Sequence, residues 1–494
     1  MKNHLAPINR IPPDIFSLIP KYWGDSDTDE ILITMTHVCR GWRELLIART
    51  WLWTRLDCTS VDKTRVYIER AKSSHVEISL FKSRSKSYVK EALLLAVPHI
   101  RRFKFLAVTG TPDVFQNLTK LLNIPAPSLE ELTIELNFNP IPVLDHALFN
   151  GDLSSLRRLH LEGIITDLPW KNLRNLTNLK LVCAPDSPIA VTQFLDFFEN
   201  APRLTKVTLF HSIPASSDAP PGRMVTLPHL KWLNISARPT HSAFLNHTHI
   251  PFGASLILDF DFNGDKSPLR DCLPTTAKNL RNLSRITKVN FCFDGRKRLV
   301  QLSGPSGALD ISGHWTGEAE ATPSFSLDRR IVRFLGYFTL SRTEKTMVIG
   351  YEPPAPAKID ESSLYYTLNR MSNLRTLTLV RCNNLHFILA LDPAQNPLGR
   401  VLCPKLEELV LYVEARKLFN ITELMNMARE RALKKAKLPS ITIIGLGELA
   451  PGKEAFKLRE HVTRVEYRVE EEPPMWHAIP TDRLGGHFTR DSPF

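Results

Sequence analysis

The sequence predicts an α+β protein of α/β-repeat type, with a small three-helix N-terminal unit followed by an irregular repeat array, a solenoid with a curved parallel sheet. Three observations predict it. Apolar residues recur at helical spacing over about the first fifty residues. A six-residue pattern, Leu-x-x-Leu-x-Leu with Val, Ile or Phe allowed, then returns many times. At 494 residues the chain also exceeds the length over which one core keeps growing, so several domains or an elongated array are expected.

The composition, 43% hydrophobic and 23% charged, is that of a globular protein. A net charge of +12 and a pI near 9.3 suit an acidic partner, but the lysines and arginines are scattered. The nearest thing to a basic block, RALKKAKLP (Arg431–Pro439), reads as a solvated helix face or end, so no nucleic acid is expected. Seven widely spaced cysteines fit a reducing compartment better than a disulfide framework. The N-terminal residues lack the apolar core of a signal peptide, and apolar runs such as ALLLAV (Ala92–Val97) are too short to cross a bilayer. A cytoplasmic or nuclear protein is expected, and the glycosylation sequons at Asn117, Asn175, Asn234 and Asn282 read as chance matches.

Residues 1–8 form a tail, and the helical unit spans 9–56. It opens on INRIPPDIFSLIPKYW, where paired prolines suit a first helical turn and Asp14 favours the positive helix end. Ile11, Ile15, Leu18, Ile19 and Tyr22 recur at three- and four-residue steps and make one apolar face. A polar loop, GDSDTDE (24–30), leads to a second stripe of Ile31, Met35, Val38, Trp42 and Leu45, flanked by Leu32, Cys39 and Leu46. Gly41 inside that stripe leaves open one bent helix or two abutting helices. The unit is marginal in size on its own, and its apolar surface, rich in Trp and Arg, suits an interface. Packing against the downstream residues alone is the other reading. Cys39 reads as a packed thiol in the stripe, not a redox centre.

Residues 57–98 are expected to form a linker helix and a first strand. In the array, 99–470, the pattern occurs as IRRFKF from Ile100, LEELTI from Leu129, LRRLHL from Leu156, LTNLKL from Leu176, LTKVTL from Leu204 and LKWLNI from Leu230. Those starts are 29, 27, 20, 28 and 26 residues apart. ITKVNF from Ile286 follows after 56 residues, with SLILDFDF (255–262) where an intervening unit belongs. The 88 residues to LRTLTL at Leu374 would hold about three degenerate units, and LEELVL follows 32 residues later at Leu406. Such steps match leucine-rich repeats, in which each unit adds one short strand and buries its three apolar positions against stacked neighbours. VTQFLDFFENAPR (191–203) reads as a returning helix. The Asn or Cys of the fuller pattern occurs only at Asn137 and Cys382, so most turns need other hydrogen-bond partners. Insertions are expected at 212–222, 303–324 and 352–358, and a tail of disordered composition at 471–494. Separate β and α elements in a compact α/β domain are the alternative.

IPPDIFSLI, THVCRGWRELL and WLWTRL resemble, in order and spacing, the three signposts of the F-box motif: a Leu-Pro-x-Glu-like start, a Val-Cys-x-x-Trp-like middle and a Leu-Trp end. The continuation LDCTSVDKTRVYIERAKSSHVEISLF resembles the F-box-like proteins abundant in mushroom-forming fungi, some with C-terminal leucine-rich repeats. The sequence departs from the motif at Asp14, where Glu is commoner, and in the longer acidic segment 23–30. The resemblance implies a three-helix domain docked on the Skp adaptor, and through it a cullin, of an SCF (Skp, cullin, F-box) ubiquitin ligase. It implies adaptor contacts at Ile11, Pro12, Pro13, Ile15, Ile19, Val38, Cys39, Trp42 and Leu46, with Trp53 closing the unit.

No phosphate-binding glycine loop, kinase signature, hydrolase elbow or zinc-protease motif occurs. His241, His247 and His249 lack the partners and spacing of a metal site and read as solvated loop residues. No enzyme, metal, cofactor, membrane or small-molecule substrate is expected. The expected function is substrate recognition: outward-facing Arg157, Arg158, His160, Lys231, Trp232 and Lys405 would line a face for a target protein, acidic or phosphorylated if the basic charge matters. A scaffold that joins no active ligase is the alternative.

Overall fold

The computed structural model describes residues 7–470 apart from 23–27, 59, 81–85, 111–122, 137–141, 145–147, 152, 167–172, 183–189, 212–218, 238–243, 262–272, 295–296, 315–334, 351–360, 381, 383, 415–420 and 447–452. The fold is mixed α/β with mostly parallel sheet, and it divides into two compact units. One comprises Met1–Pro214 with Leu227–Leu230, the other Ala215–Thr226 with Lys231–Phe494. The expected insertion 352–358, most of 212–222, and the tail 471–494 lie outside the described residues.

The first unit runs through α1 (Pro13–Tyr22), α2 (Thr28–Val38), α3 (Arg40–Ala48), β1 (Arg55–Leu56), α4 (Val61–Ala71), β2 (Val76–Leu80) and α5 (Lys86–Ala96). It continues through β3 (Phe103–Gly110), β4 (Glu131–Leu136), β5 (Val143–Leu144), β6 (Arg158–Glu162), β7 (Ile165–Thr166), β8 (Asn178–Val182), α6 (Val191–Asn200) and β9 (Lys206–Phe210). Its sheet has the parallel order β1-β2-β3-β4-β6-β8-β9, and β5 and β7 form a separate parallel pair. Residues 57–98, read from the sequence as a linker helix and strand, hold two helices around β2, which pairs with both β1 and β3.

The repeat pattern accounts for this sheet. In LEELTI, Leu129, Leu132 and Ile134 are at most 1% exposed while Glu131 and Thr133 face outward, the two-residue alternation of a half-buried strand. IRRFKF departs from it. Its register passes from Val76↔Phe103 to Glu77↔Phe105, so a bulge at Lys104 turns Leu106 and Val108 inward and leaves Phe105 half-buried. The carbonyl after one unit's first Leu accepts two N–H groups of the next: Glu130 from Arg157 (2.8 Å) and Arg158 (3.0 Å), and Arg157 from Thr177 (2.8 Å) and Asn178 (3.1 Å). Each first Leu also donates to a buried apolar residue three places earlier, Leu129 to Ala126, Leu156 to Leu153 and Leu176 to Leu173. That apolar position belongs to the repeat as well.

The second unit holds β10 (Val225–Thr226), β11 (Trp232–Ala237), β12 (Thr248–His249), β13 (Ser255–Asp261), β14 (Lys288–Asp294), β15 (Lys297–Gly304), β16 (Gly307–His314) and β17 (Lys345–Gly350). Next come α7 (Glu361–Arg370), β18 (Thr376–Val380), α8 (Asn384–Leu391), β19 (Glu408–Glu414), α9 (Ile421–Leu433), β20 (Ser440–Leu446) and β21 (Arg464–Glu470). The sheet order is β11-β13-β16-β15-β14-β17-β18-β19-β20-β21, with β15 antiparallel to β14 and β16 and every other pairing parallel. SLILDFDF supplies β13, in register with the LKWLNI strand.

Two expectations fail here. Between Ile286 and Leu374 the described residues hold a hairpin, β15–β16, and one parallel strand, β17, in place of three degenerate units. Residues 303–314, read as the start of a polar insertion, complete that hairpin, because GPSG (Gly304–Gly307) turns the chain and the flanking alternation buries Leu302, Leu309 and Ile311. Asn282 secures the hairpin by donating its side-chain amide to Ala254 O (3.2 Å) and Ala308 O (2.9 Å). Asn234 and Asn282 are themselves buried, which withholds these sequons from modification in the folded chain.

The basic run RALKKAKLP also divides. Lys434, Lys435 and Lys437 are exposed, but Arg431 is fully buried, and its guanidinium donates to the carbonyls of Leu402 (2.8 Å), Cys403 (3.0 Å) and Leu391 (3.4 Å). Burial pushes its pKa down to about 10. Among the described residues, no helix is long and apolar enough to cross a membrane.

Candidate functional site

The N-terminal helices form a unit with its own small core. Phe16 N–H donates to Pro12 O at 2.9 Å, so the paired prolines do start α1. Asp14 pairs with Arg49 and thereby ties that start to the end of α3. The inward side of α1 is Phe16, Ser17 and Pro20. The apolar stripe evident in the sequence points the other way: Ile15 is 55% and Tyr22 77% exposed, and Ile15, Leu18, Ile19 and Tyr22 line an open depression of about 510 Å³.

The second stripe is not one helix. Cys39 is extended (φ −157°, ψ 165°) and separates α2 from α3, its Sγ accepting the Trp42 N–H at 3.5 Å as a helix cap. The glycine at 41 is exposed in the first turn of α3, so two abutting helices are the answer to the question it raised. Arg43 Nε donates to Thr36 O at 2.9 Å and clamps them together. The interruption turns Val38 to solvent, 57% exposed, while Leu32 and Met35 pack inward. Trp42 is half-buried, its ring 4.5 Å from that of Phe16, and so joins α3 to α1.

The expected adaptor-contact residues therefore separate by burial. Pro12, Pro13, Ile15 and Val38 are exposed, Ile11, Ile19, Cys39 and Trp42 are half-buried, and Leu46 and Trp53 are fully buried. Leu46 and Trp53 are core because Trp53 Nε1 donates to Leu46 O at 2.9 Å. The Trp53 ring meets Tyr67 edge-on at 5.0 Å and lies 4.2 Å beneath the Arg70 guanidinium. Trp53 thus fastens the three helices to α4, a task assisted by Lys63, which pairs with Asp29 (2.7 Å) and Asp57 (2.6 Å). Trp53→Phe deletes the donor to Leu46 O and leaves a void where the second ring of the indole packed; it is expected to cost about 2–3 kcal/mol in urea unfolding.

The residues expected on a target face are dispersed. Arg157 and Arg158 are exposed in the first unit, where Arg158 pairs with Glu131. Arg157 joins Glu130, Ser155, Asn175, Thr177 and Arg203 around a polar pocket of about 280 Å³ at the starts of the strands. His160 does not reach the surface; it is 3% exposed, set between Glu135 and Glu162. In the second unit Lys231 is exposed, Trp232 is half-buried, and Lys405 donates to Asn373 Oδ1 at 2.7 Å. Six strands separate β11 from β19, on the order of 30 Å at the usual strand spacing, so Trp232 and Lys405 share no single small site. His247 and His249 are half-buried, not solvated, with His247 Nδ1 3.0 Å from Arg223 O; His241 lies outside the described residues.

Compared with known proteins, the chain matches no family model and no curated sequence.

Proposed function

We propose that the chain is the substrate-recognition subunit of an SCF-type ubiquitin ligase, its three-helix unit docking a Skp-type adaptor and its strand repeats binding a target protein. One observation carries this reading. A unit with a core of its own, built on Phe16, Leu46 and Trp53, presents an apolar helix stripe outward, around the depression lined by Ile15 and Tyr22. A packed unit has no folding reason to expose that stripe, and its desolvation by a partner is favourable. The contribution of such a receptor is proximity: it raises the local concentration of target lysines near the transfer site and does no chemistry itself. The exposed arginines and lysines at the strand starts suit a target with acidic groups. The second reading is a scaffold that holds the adaptor without a cullin.

Cys39 offers a test, because it is half-buried beside the exposed Val38. Adaptor binding is expected to protect Cys39 from alkylation and to bring the cullin down in the same complex. Cys58 and Cys403 stay unreactive with or without adaptor near pH 8, since burial pushes both thiols up to about 12 and leaves almost no thiolate. Unchanged Cys39 labelling at saturating adaptor would sink the docking mode. Adaptor without cullin would favour the scaffold.

A further inference from the structure

Glu135 on β4 and His160 and Glu162 on β6 meet on the outward face of the first unit's sheet. The register sets Thr133 opposite His160 and Glu135 opposite Glu162, so the two carboxylates flank the ring. His160 Nδ1 lies 3.3 Å from Glu135 Oε1, and Nε2 lies 3.4 Å from Glu162 Oε2. Gly163 permits this approach. Its φ is +67°, and a Cβ there would stand 1.8 Å from the Leu136 carbonyl oxygen, so another residue would force apart the strand ends that carry Glu135 and Glu162. The side chain of His160 is 3% exposed, that of Glu135 16% and that of Glu162 42%. The imidazole is thus buried beneath two carboxylates that still reach solvent.

Among the described residues, the ion-pair contacts of this cluster bring together the imidazole, two carboxylates and one ammonium. A neutral imidazole has one N–H and one lone pair, yet both ring nitrogens lie beside carboxylate oxygens. One lone pair therefore faces negative charge. Lys180, in register with His160 from β8, brings one ammonium to 3.7 Å from Glu162 against two carboxylates. A divalent cation accepts the lone pair and neutralises both glutamates. One ligand atom from each residue already lies within 4.8 Å of the others. Neighbouring ligands around tetrahedral zinc stand roughly 3.4 Å apart, given bonds of about 2.0–2.2 Å, so modest side-chain rotation completes the geometry.

We propose that Glu135, His160 and Glu162 form a binding site for a divalent transition-metal ion of the zinc class, with solvent in the remaining coordination position. Nitrogen with two carboxylates suits zinc better than the all-oxygen shells of calcium or magnesium. Lys180 competes with the ion for Glu162 and is released when the ion binds.

The test uses the full chain, stripped with a chelator and titrated with Zn²⁺ by calorimetry and with Co²⁺ by visible absorption. One saturable site with d–d bands, no thiolate charge-transfer band and a raised Tm is expected. His160→Ala should abolish that site and Glu162→Gln should weaken it about tenfold or more. Glu162 is partly exposed, so its variant separates ligand loss from misfolding, checked by an unchanged Tm in chelator. Lys180→Met should bind more tightly than wild type. The proposal is overturned by an absence of saturable Zn²⁺ binding, by unchanged affinity in Glu162→Gln, by a thiolate band that moves the metal to cysteine, or by weaker binding in Lys180→Met.

Discussion

Arg431→Met is expected to lower the free energy of unfolding by about 3 kcal/mol, although the substitution keeps an unbranched stem and adds apolar character. The guanidinium donates to three main-chain carbonyls, those of Leu391, Leu402 and Cys403, which lie at the end of α8 and in the turn before β19. Methionine removes the desolvated charge, which is a gain, but it takes the guanidinium donors away; Cys403 O keeps the Leu406 N–H at 3.1 Å, so the cost falls on the carbonyls of Leu391 and Leu402, about 1–3 kcal/mol each. The second effect wins because no water reaches a side chain that is 0% exposed. Arg431→Lys should lose most of the same stability, since one ammonium cannot reproduce a planar fork spanning separate carbonyls. Urea unfolding gives the total, and amide exchange should rise first around residues 402–406. A loss below about 1 kcal/mol would show that the Leu391 and Leu402 carbonyls find other donors.

The double variant Ile15→Asp with Val38→Asp is expected to abolish co-purification with a Skp-type adaptor while leaving stability within about 0.5 kcal/mol. The two side chains are 55% and 57% exposed, so an aspartate at either position stays hydrated in the free protein. In a docked complex each would be a buried, unpaired charge. A loss of about 2 kcal/mol per site corresponds to roughly 30-fold in affinity, and two sites multiply. Trp42→Ala is a poorer probe, because it also removes the ring packed 4.5 Å from Phe16 and would loosen the helices themselves. Adaptor binding retained by the Ile15/Val38 variant, with unchanged melting, would rule out both positions as parts of the docking surface.

Much of the strand framework was legible in the sequence because its signal is periodic and local. Leu129, Leu132 and Ile134 repeat at a fixed offset in unit after unit, and strand geometry leaves those positions one way to point. The hairpin at 297–314 shows in the alternation around GPSG but falls outside the repeat period. Leu438, Ile441 and Ile443 carry the pattern into β20 as well. The candidate sites were less legible. Val38, Cys39 and Trp42 stand at helical spacing, yet the backbone breaks at Cys39, and the spacing alone cannot register a break that a cysteine side chain caps.

Residue order alone was enough to specify most strands of the Leu-x-x-Leu-x-Leu units and which of their positions turn inward, since these follow from periodicity within a few residues. Which apolar face meets the core was a tertiary matter. Ile15 and Phe16 are adjacent and equally apolar, but Trp42 packs on Phe16 and leaves Ile15 in solvent. The same holds for charge: Arg431 and Lys434 belong to one basic run, and only the carbonyls of Leu391, Leu402 and Cys403, distant in sequence, draw the arginine inside. Glu135 meets His160 through strand register rather than through any motif. Burial and pairing depend on partners far along the chain, so they were settled when the units packed.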